Sequence, residues 1–224
     1  MKQCLLLLSV LGLIFACSSL PRVYPAGDSK DPQPARVCEG PFPDGDWQLL
    51  HSIEATLPGG KKGFLMGLTV ISSANRTARC VIMTLEGFVV FDALYDKKIS
   101  IIRAIAPFDS QDFANGMMED IDLIFFKPAG SIIKSGLLKN GAAVCRYQKP
   151  DGRIVDIISY GQHKLEIKLY LPDNRLVRTV NVLPAAGPES VDRKGISNKI
   201  ELKAHGSPGY ELAMELVEAI PLTK

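Results

Sequence analysis

The sequence predicts a mostly β protein, in which a curved antiparallel sheet of about eleven strands has one or two helices over its open face. Two observations lead to this prediction. From Trp47 onward the chain consists of short apolar runs separated by Gly, Pro, Asn and Asp, which is typical of successive strands and turns. One longer segment, QDFANGMMEDIDLIFF, repeats its apolar residues at helical spacing.

The first sixteen residues have the three-part layout of a secretory signal peptide. Lys2 is basic, the stretch from Leu5 to Phe15 is apolar, and Ala16 is the small residue required before a cleavage site. As a helix this apolar stretch spans about 16 Å, whereas a bilayer core is about 30 Å thick, so a transmembrane anchor is disfavoured. We expect residues 1–16 to be removed on export.

Cys17 follows this segment directly, and Ile14-Phe15-Ala16-Cys17 resembles the lipobox of bacterial lipoproteins. The resemblance implies acyl chains on Cys17, which hold a protein on a membrane without a transmembrane helix. Ser18 is similar to the residue that directs enterobacterial lipoproteins to the outer membrane, so a periplasm-facing outer-membrane location is implied. The alternative is an ordinary signal peptide with an incidental cysteine.

Residues 17–46 are predicted to form a lipidated cysteine and a Pro-rich tether. The segment from Ser18 to Asp46 is crowded with Pro, Gly and charged residues and shows neither strand nor helix periodicity. Such a tether would place the domain tens of ångströms from the membrane. Alternatively, part of it packs across the domain as a belt, which Val23, Tyr24 and Phe42 favour.

The first half of the domain is predicted to be a five-stranded meander. Its strands are Trp47 to Leu57, Gly63 to Ser72, Thr77 to Leu85, Phe88 to Asp96, and Ile99 to Ala106. Phe88 to Phe91 and Ile99 to Ile102 are apolar on both faces, so we expect both runs to be covered on both sides.

The cover is predicted to be a helix capped by Asp109 or Ser110 and ended by Lys127-Pro128-Ala129-Gly130. Ser131 to Leu138 is interpreted as a possible second short helix. Strands then resume, at Ala142 to Lys149, Arg153 to Tyr160, Lys164 to Leu171, Arg175 to Leu183, Lys199 to His205, and Tyr210 to Ile220, where a helix is the alternative for the last.

Three cysteines, Cys38, Cys80 and Cys145, remain for an oxidising periplasm if Cys4 leaves with the signal and Cys17 is acylated. Cys80 and Cys145 both lie in strand-like segments, which favours a bridge between them. The alternative is buried free thiols that behave as small hydrophobic side chains.

Composition and motifs disfavour several functional classes. The formal net charge is +2, and +1 once Lys2 is lost, so we expect no nucleic-acid partner. His51, His163 and His205 stand outside any mechanistic motif and are interpreted as surface or turn residues, so we predict neither an enzyme nor a cofactor. The acids at Glu119, Asp120 and Asp122 are interpreted as a solvated helix face, with a cation site as the alternative; we expect no metal.

The order of motifs resembles an uncharacterised family of Gram-negative outer-membrane lipoproteins related to the LolA/LolB lipoprotein carriers. The segment from Met118 to Pro128 matches that family's pattern at Asp120, Leu123, Phe126 and Pro128, and Gly209-Tyr210-Glu211-Leu212 is similar to its final strand. The resemblance assigns residues 47–224 to a LolA/LolB-like β domain. It implies an unclosed half-barrel with helices in its mouth.

A helix over a curved sheet forms a natural apolar pocket for acyl chains, although a filled core would give the same periodicity. The predicted pocket residues are Phe64, Met66, Leu68, Phe88, Val90, Phe113, Met117 and Ile121. The predicted function is binding of a lipid or acylated ligand, such as lipoprotein cargo, in envelope transport or assembly. The alternative is a structural lipoprotein that docks a protein partner, of unknown identity, without a small ligand.

Overall fold

The protein folds as a twelve-stranded antiparallel sheet that does not close into a barrel, with one long helix against its inner face. The computed structural model describes residues 20–26, 36–161, 164–184 and 195–222. The predicted signal peptide and Cys17 lie outside these residues.

The strands follow one another along the sheet in two meanders. The first comprises β1 (Asp46–Thr56), β2 (Lys62–Ser72), β3 (Thr77–Met83), β4 (Val89–Asp96) and β5 (Lys98–Ala104). After the helix α1 (Gln111–Phe125) come β6 (Ser131–Leu137), β7 (Ala143–Gln148), β8 (Ile154–Ser159), β9 (Leu165–Tyr170), β10 (Leu176–Pro184), β11 (Ser197–Ala204) and β12 (Tyr210–Pro221).

Pairing of β1 with β12 joins the two meanders into one sheet. The strands β5 and β6 are therefore its two edges, and α1 is the segment that connects them. This connection carries α1 across the opening of the sheet. The predicted half-barrel with a helix over its open face is confirmed.

Helix α1 begins where the sequence predicts. The Ser110 side chain accepts a hydrogen bond from the Phe113 backbone N–H at 3.1 Å, which satisfies one of the free amide groups of the first turn. The apolar face of α1 packs on the sheet, and Ile121, Ile124 and Phe125 are buried there. No helix among the described residues has the length and apolar character needed to span a bilayer.

One predicted element differs in the structure. The predicted second helix is the edge strand β6, which brings the number of strands from about eleven to twelve. Its run Ser131-Ile132-Ile133 is too short for helical periodicity to be distinguished from a strand. The last element, β12, is a strand as predicted, and the exposed Glu211 and Glu215 lie on one face of it.

Coverage on both sides is correct for the second half of the run Phe88 to Phe91 and wrong for its first residue and for β5. Val90 and Phe91 of β4 are buried, whereas Phe88 precedes the strand and is 64% exposed. In contrast, Ile102 of β5 is 59% exposed, because β5 is an edge strand and its outer face is uncovered.

The described parts of the predicted tether pack against the sheet, as the belt alternative proposed. Val23 is buried, and the Tyr24 and Leu137 backbones exchange hydrogen bonds of 2.8 and 2.9 Å. Val37 is buried in the main core, against which Phe42 packs. Tertiary contacts thus hold segments whose local sequence has no periodicity.

The disulfide joins Cys38 to Cys145, with Cα atoms 5.2 Å apart, and Cys80 is a free buried thiol. The predicted Cys80–Cys145 bridge is therefore wrong. The belt brings Cys38 onto the inner face of β7, where the Tyr147 hydroxyl also donates to the Cys38 carbonyl at 2.6 Å. Cys80 lies on β3, in the other meander from Cys145.

Candidate functional site

A cavity of about 520 Å³ lies between α1 and the inner face of the sheet. Side chains from β1, β2, β3 and β12 form its floor, and α1 forms its roof. Most of the lining side chains are apolar, including Ile53, Leu65 and Met214. The volume falls within the range of small-molecule pockets, and an apolar lining of this kind suits a hydrocarbon ligand.

Small residues create this space. Ala55, Gly63 and Gly67 stand on the floor, and Gly116 stands on the roof. A Cβ atom added to Gly116 would meet no atom within 4 Å, so the helix leaves open volume at that position. A Cβ atom on Gly67 would instead approach Cδ1 of Ile53 to 2.6 Å.

Four of the eight predicted pocket residues line the cavity. Phe113, Met117 and Ile121 project from α1, and Phe64 borders the cavity although it is 58% exposed. The structure thus brings together the helical residues and one strand residue of the predicted set.

The other four predicted residues do not line it. Leu65, Gly67 and Thr69 of β2 line the cavity, and Met66 and Leu68 lie on the other face of the strand. The prediction that Met66 and Leu68 face the pocket is therefore wrong. Phe88 is 64% exposed in the β3–β4 connection, and Val90 is packed in the core.

One end of the cavity is polar, with Asp120, Arg178 and Tyr210 in contact. Nε of Arg178 donates to Oδ1 of Asp120 at 2.8 Å, and the Tyr210 hydroxyl donates to Oδ2. The Arg178 guanidinium also stacks on the Tyr210 ring, with its carbon 5.5 Å from the ring centre. This cluster ties the middle of α1 to β10 and β12.

Burial governs the ionisation of this cluster. Asp120 is 2% exposed, and burial raises the pKa of its carboxyl above the ordinary value although Arg178 opposes the shift. Burial and the Asp120 charge also raise the pKa of the Tyr210 hydroxyl. The hydroxyl therefore stays protonated and able to donate at neutral pH.

The other two acids of the predicted solvated face, Glu119 and Asp122, are also paired, so that prediction is wrong. Glu119 forms an ion pair with Arg153, and Asp122 with Arg76 and with Lys149 at 3.1 Å. Lys149 and Arg153 come from the β7–β8 connection, and Arg76 comes from the β2–β3 turn. Only the tertiary structure brings these residues to the helix. No group of His, Cys, Asp and Glu in the described part of the chain is arranged to hold a metal ion.

Arg178 and Tyr210 were not predicted as site residues from the sequence. Arg178 is a charged residue in an otherwise apolar alternation on β10, and that is the signal that marks it. The pairing of β10 with β9 shifts by one residue between Leu176 and Arg178. Counting alternate residues along β10 therefore does not show on which face of the sheet Arg178 lies.

Two further buried groups lie near the site: His51, which was misplaced, and Cys80, which is a buried free thiol as the alternative prediction proposed. His51, predicted at a surface or turn, is 1% exposed on β1, with its ring 6.0 Å from that of Phe125 on α1. Burial lowers the pKa of His51 to about 4. Cys80 lines the cavity, and burial raises the pKa of its thiol to about 12, so it is a weak nucleophile at neutral pH.

No family model and no curated protein matches the chain. Among solved structures, the chain is similar to a LolA superfamily protein from Nitrosomonas europaea, with a TM-score of 0.55. The match covers 85% of this chain and 92% of that chain, at 11% sequence identity. The fold is LolA-like.

Two further structures have lower scores. A domain from Vibrio parahaemolyticus named as an outer membrane lipoprotein-sorting protein domain has a TM-score of 0.49, at 12% identity over 84% of this chain and 90% of that one. A DUF1329 family protein from Desulfovibrio piger has a TM-score of 0.47, at 11% identity over 85% and 92%. The LolA-like assignment rests on the Nitrosomonas protein.

Proposed function

We propose that the protein is a lipid-anchored envelope protein that binds an acyl chain, of a lipid or a lipoprotein, in the cavity beneath α1. The observation that carries this proposal is the cavity itself, an apolar space of about 520 Å³ enclosed by a helix on a LolA-like sheet.

The lining supports hydrocarbon as the part of the ligand that is recognised. Each buried CH₂ group contributes about 0.8 kcal/mol, so a long acyl chain supplies affinity without polar contacts. The Asp120–Arg178 pair neutralises itself, so the polar end offers no net charge to a ligand headgroup. We therefore expect affinity to depend on chain length more than on headgroup charge.

The role we propose is binding and transfer, without catalysis. Asp120, Arg178 and Tyr210 are engaged with one another, and the high pKa of Cys80 makes its thiol unreactive. A nucleophile and a free general base are what an acyl-transfer site requires.

The anchor we propose is a set of acyl chains on Cys17, on the periplasmic side of the outer membrane. The Cys38–Cys145 disulfide supports an oxidising compartment, because such bridges persist outside the cytosol. Cys17→Ala is expected to be released from outer membranes that are washed at high salt, because salt screens electrostatic contacts but does not extract acyl chains. Retention of the variant in the salt-washed membranes would contradict the anchor.

Filling the cavity tests the ligand. Gly116→Leu places a side chain in the space over the floor without a clash at Cβ, and is expected to reduce binding of a fluorescent fatty acid at least tenfold. Gly116→Ala is the matched control, because it adds the same helix propensity and only one methyl group.

Binding by wild type and Gly116→Ala, and its loss in Gly116→Leu, is the expected pattern. Equal binding by all three forms would place the probe elsewhere. If wild type bound no acyl probe, the protein-docking alternative would be favoured instead.

A further inference from the structure

The chain is fastened to the sheet very soon after the proposed lipidation site. The carbonyl of Pro21 accepts a hydrogen bond from Nη2 of Arg146 at 2.9 Å, and Arg146 itself is buried in an ion pair with Asp156. Val23 is buried close by, and Tyr24 pairs with Leu137 at the edge of β6.

Chain length then restricts where the membrane lies. Pro21 is four residues after Cys17, and four residues span at most about 14 Å when fully extended. If Cys17 carries the acyl chains, a step that rests on the proposed function, the β6 side of the sheet lies next to the bilayer. The predicted tether does not lift this side of the domain from the membrane.

The chemistry of the β6 edge suits an anionic lipid surface. Residues 127–149 contain no Asp or Glu and five basic residues. Arg146 and Lys149 are paired with Asp156 and Asp122, whereas the other three, all lysines, form no ion pair with the described residues. Lys134 and Lys139 are exposed, and Ile132 and Ile133 beside them are 50% and 47% exposed. Basic residues attract anionic headgroups, and exposed apolar side chains enter the interface.

The fastened segment contributes to the same surface. Tyr24 is 40% exposed, and the Arg22 guanidinium lies 5.4 Å from the centre of its ring. Aromatic rings with a polar end are enriched at membrane interfaces, where arginine also contacts phosphate.

The other edge of the sheet is different. The region 86–112, which contains β5, carries five acidic residues and three basic ones. β5 is at the opposite end of the strand order from β6, and the described N-terminal segment pairs with β6 through Tyr24. The two edges therefore differ in charge as well as in their contact with the N-terminal segment.

We propose that the β6 edge, together with Tyr24, is a membrane-contact surface that orients the domain on an anionic bilayer. The lysines bind lipid phosphates and the two isoleucines enter the interface. This contact fixes which side of the half-barrel faces the membrane.

Vesicle binding by the mature chain with Cys17→Ser tests the surface independently of acylation. We expect it to sediment with vesicles of phosphatidylglycerol and phosphatidylethanolamine, and not with vesicles of phosphatidylcholine alone. Lys134→Gln with Lys139→Gln is expected to lower the affinity about 25-fold, at about fivefold per lysine. Lys97→Gln with Lys98→Gln, exposed at the β5 edge, is the charge-matched control and is expected to change nothing.

Absence of binding to the anionic vesicles, or equal losses in both double variants, would overturn the proposal. In the acylated protein on the same vesicles, a fluorophore at Ser135→Cys on β6 is expected to be quenched by a headgroup-attached quencher, and one at Ser100→Cys on β5 is not. Equal quenching would also overturn it. Fatty-acid binding in the cavity is expected to be unchanged in the lysine variants, so failure of this surface is distinct from failure of the cavity.

Discussion

His51 gives the folded state a defined sensitivity to acid. Its ring is 1% exposed between β1 and α1, and its Nδ1 atom has no hydrogen-bond partner among the described residues. The described side chains around the small gap beside it carry no charge. His51→Leu replaces the imidazole with an apolar side chain of similar volume, which removes both the orphaned polar atom and the titration.

The magnitude follows from the pKa of His51, which burial lowers from 6.5 to about 4. Because the folded pKa is depressed, the unfolded state takes up the proton first, and stability is lost as the pH falls below about 6.5. The loss is roughly 2 kcal/mol between about pH 7 and about pH 5, and about 3 kcal/mol below the folded pKa.

Urea unfolding of both proteins across this pH range is the assay. The stability difference, variant minus wild type, is expected to rise by roughly 2 kcal/mol as the pH falls from about 7 to about 5. Burial raises the pKa values of Asp120 and Asp156, so their stabilising contribution is lost as the pH rises. Both carboxyls are present in the variant and in wild type, so this contribution drops out of the stability difference. A difference that does not change with pH would refute the argument.

Two further perturbations probe the fastenings of the fold. Asp120→Ala is expected to cost about 3–5 kcal/mol in urea unfolding, because it leaves Arg178 half-buried without its carboxylate, and adding Arg178→Met is expected to recover part of the loss. Cys38→Ser with Cys145→Ser is expected to cost about 5 kcal/mol of unfolding free energy, since the bridge closes a loop across a separation of 107 residues. Wild type in a reductant should reproduce the second loss, and unchanged stability in either case would contradict the assigned contact.

The helix was predictable because its signals are local. The Ser110 cap and the repeat of Phe113, Met117 and Ile121 are all contained in one short segment. The cavity floor was not predictable in the same way. Alternation divides the residues of β2 between two faces, but it does not show which of the two faces α1 covers. Pairing of β2 with β1, where Ile53 stands opposite Leu65, decides that face.

From the sequence alone, the series of strands and the position of the helix were determined, because each depends on periodicity or composition within a short stretch. The sixteen-residue leader before Cys17 stays a prediction. Only the tertiary structure decided the partner of Cys145, the burial of His51, the contact between Asp120 and Arg178, and the docking of the segment around Val23. These features join residues that are far apart in the chain. Their energies come from burial and pairing, which a local pattern does not encode.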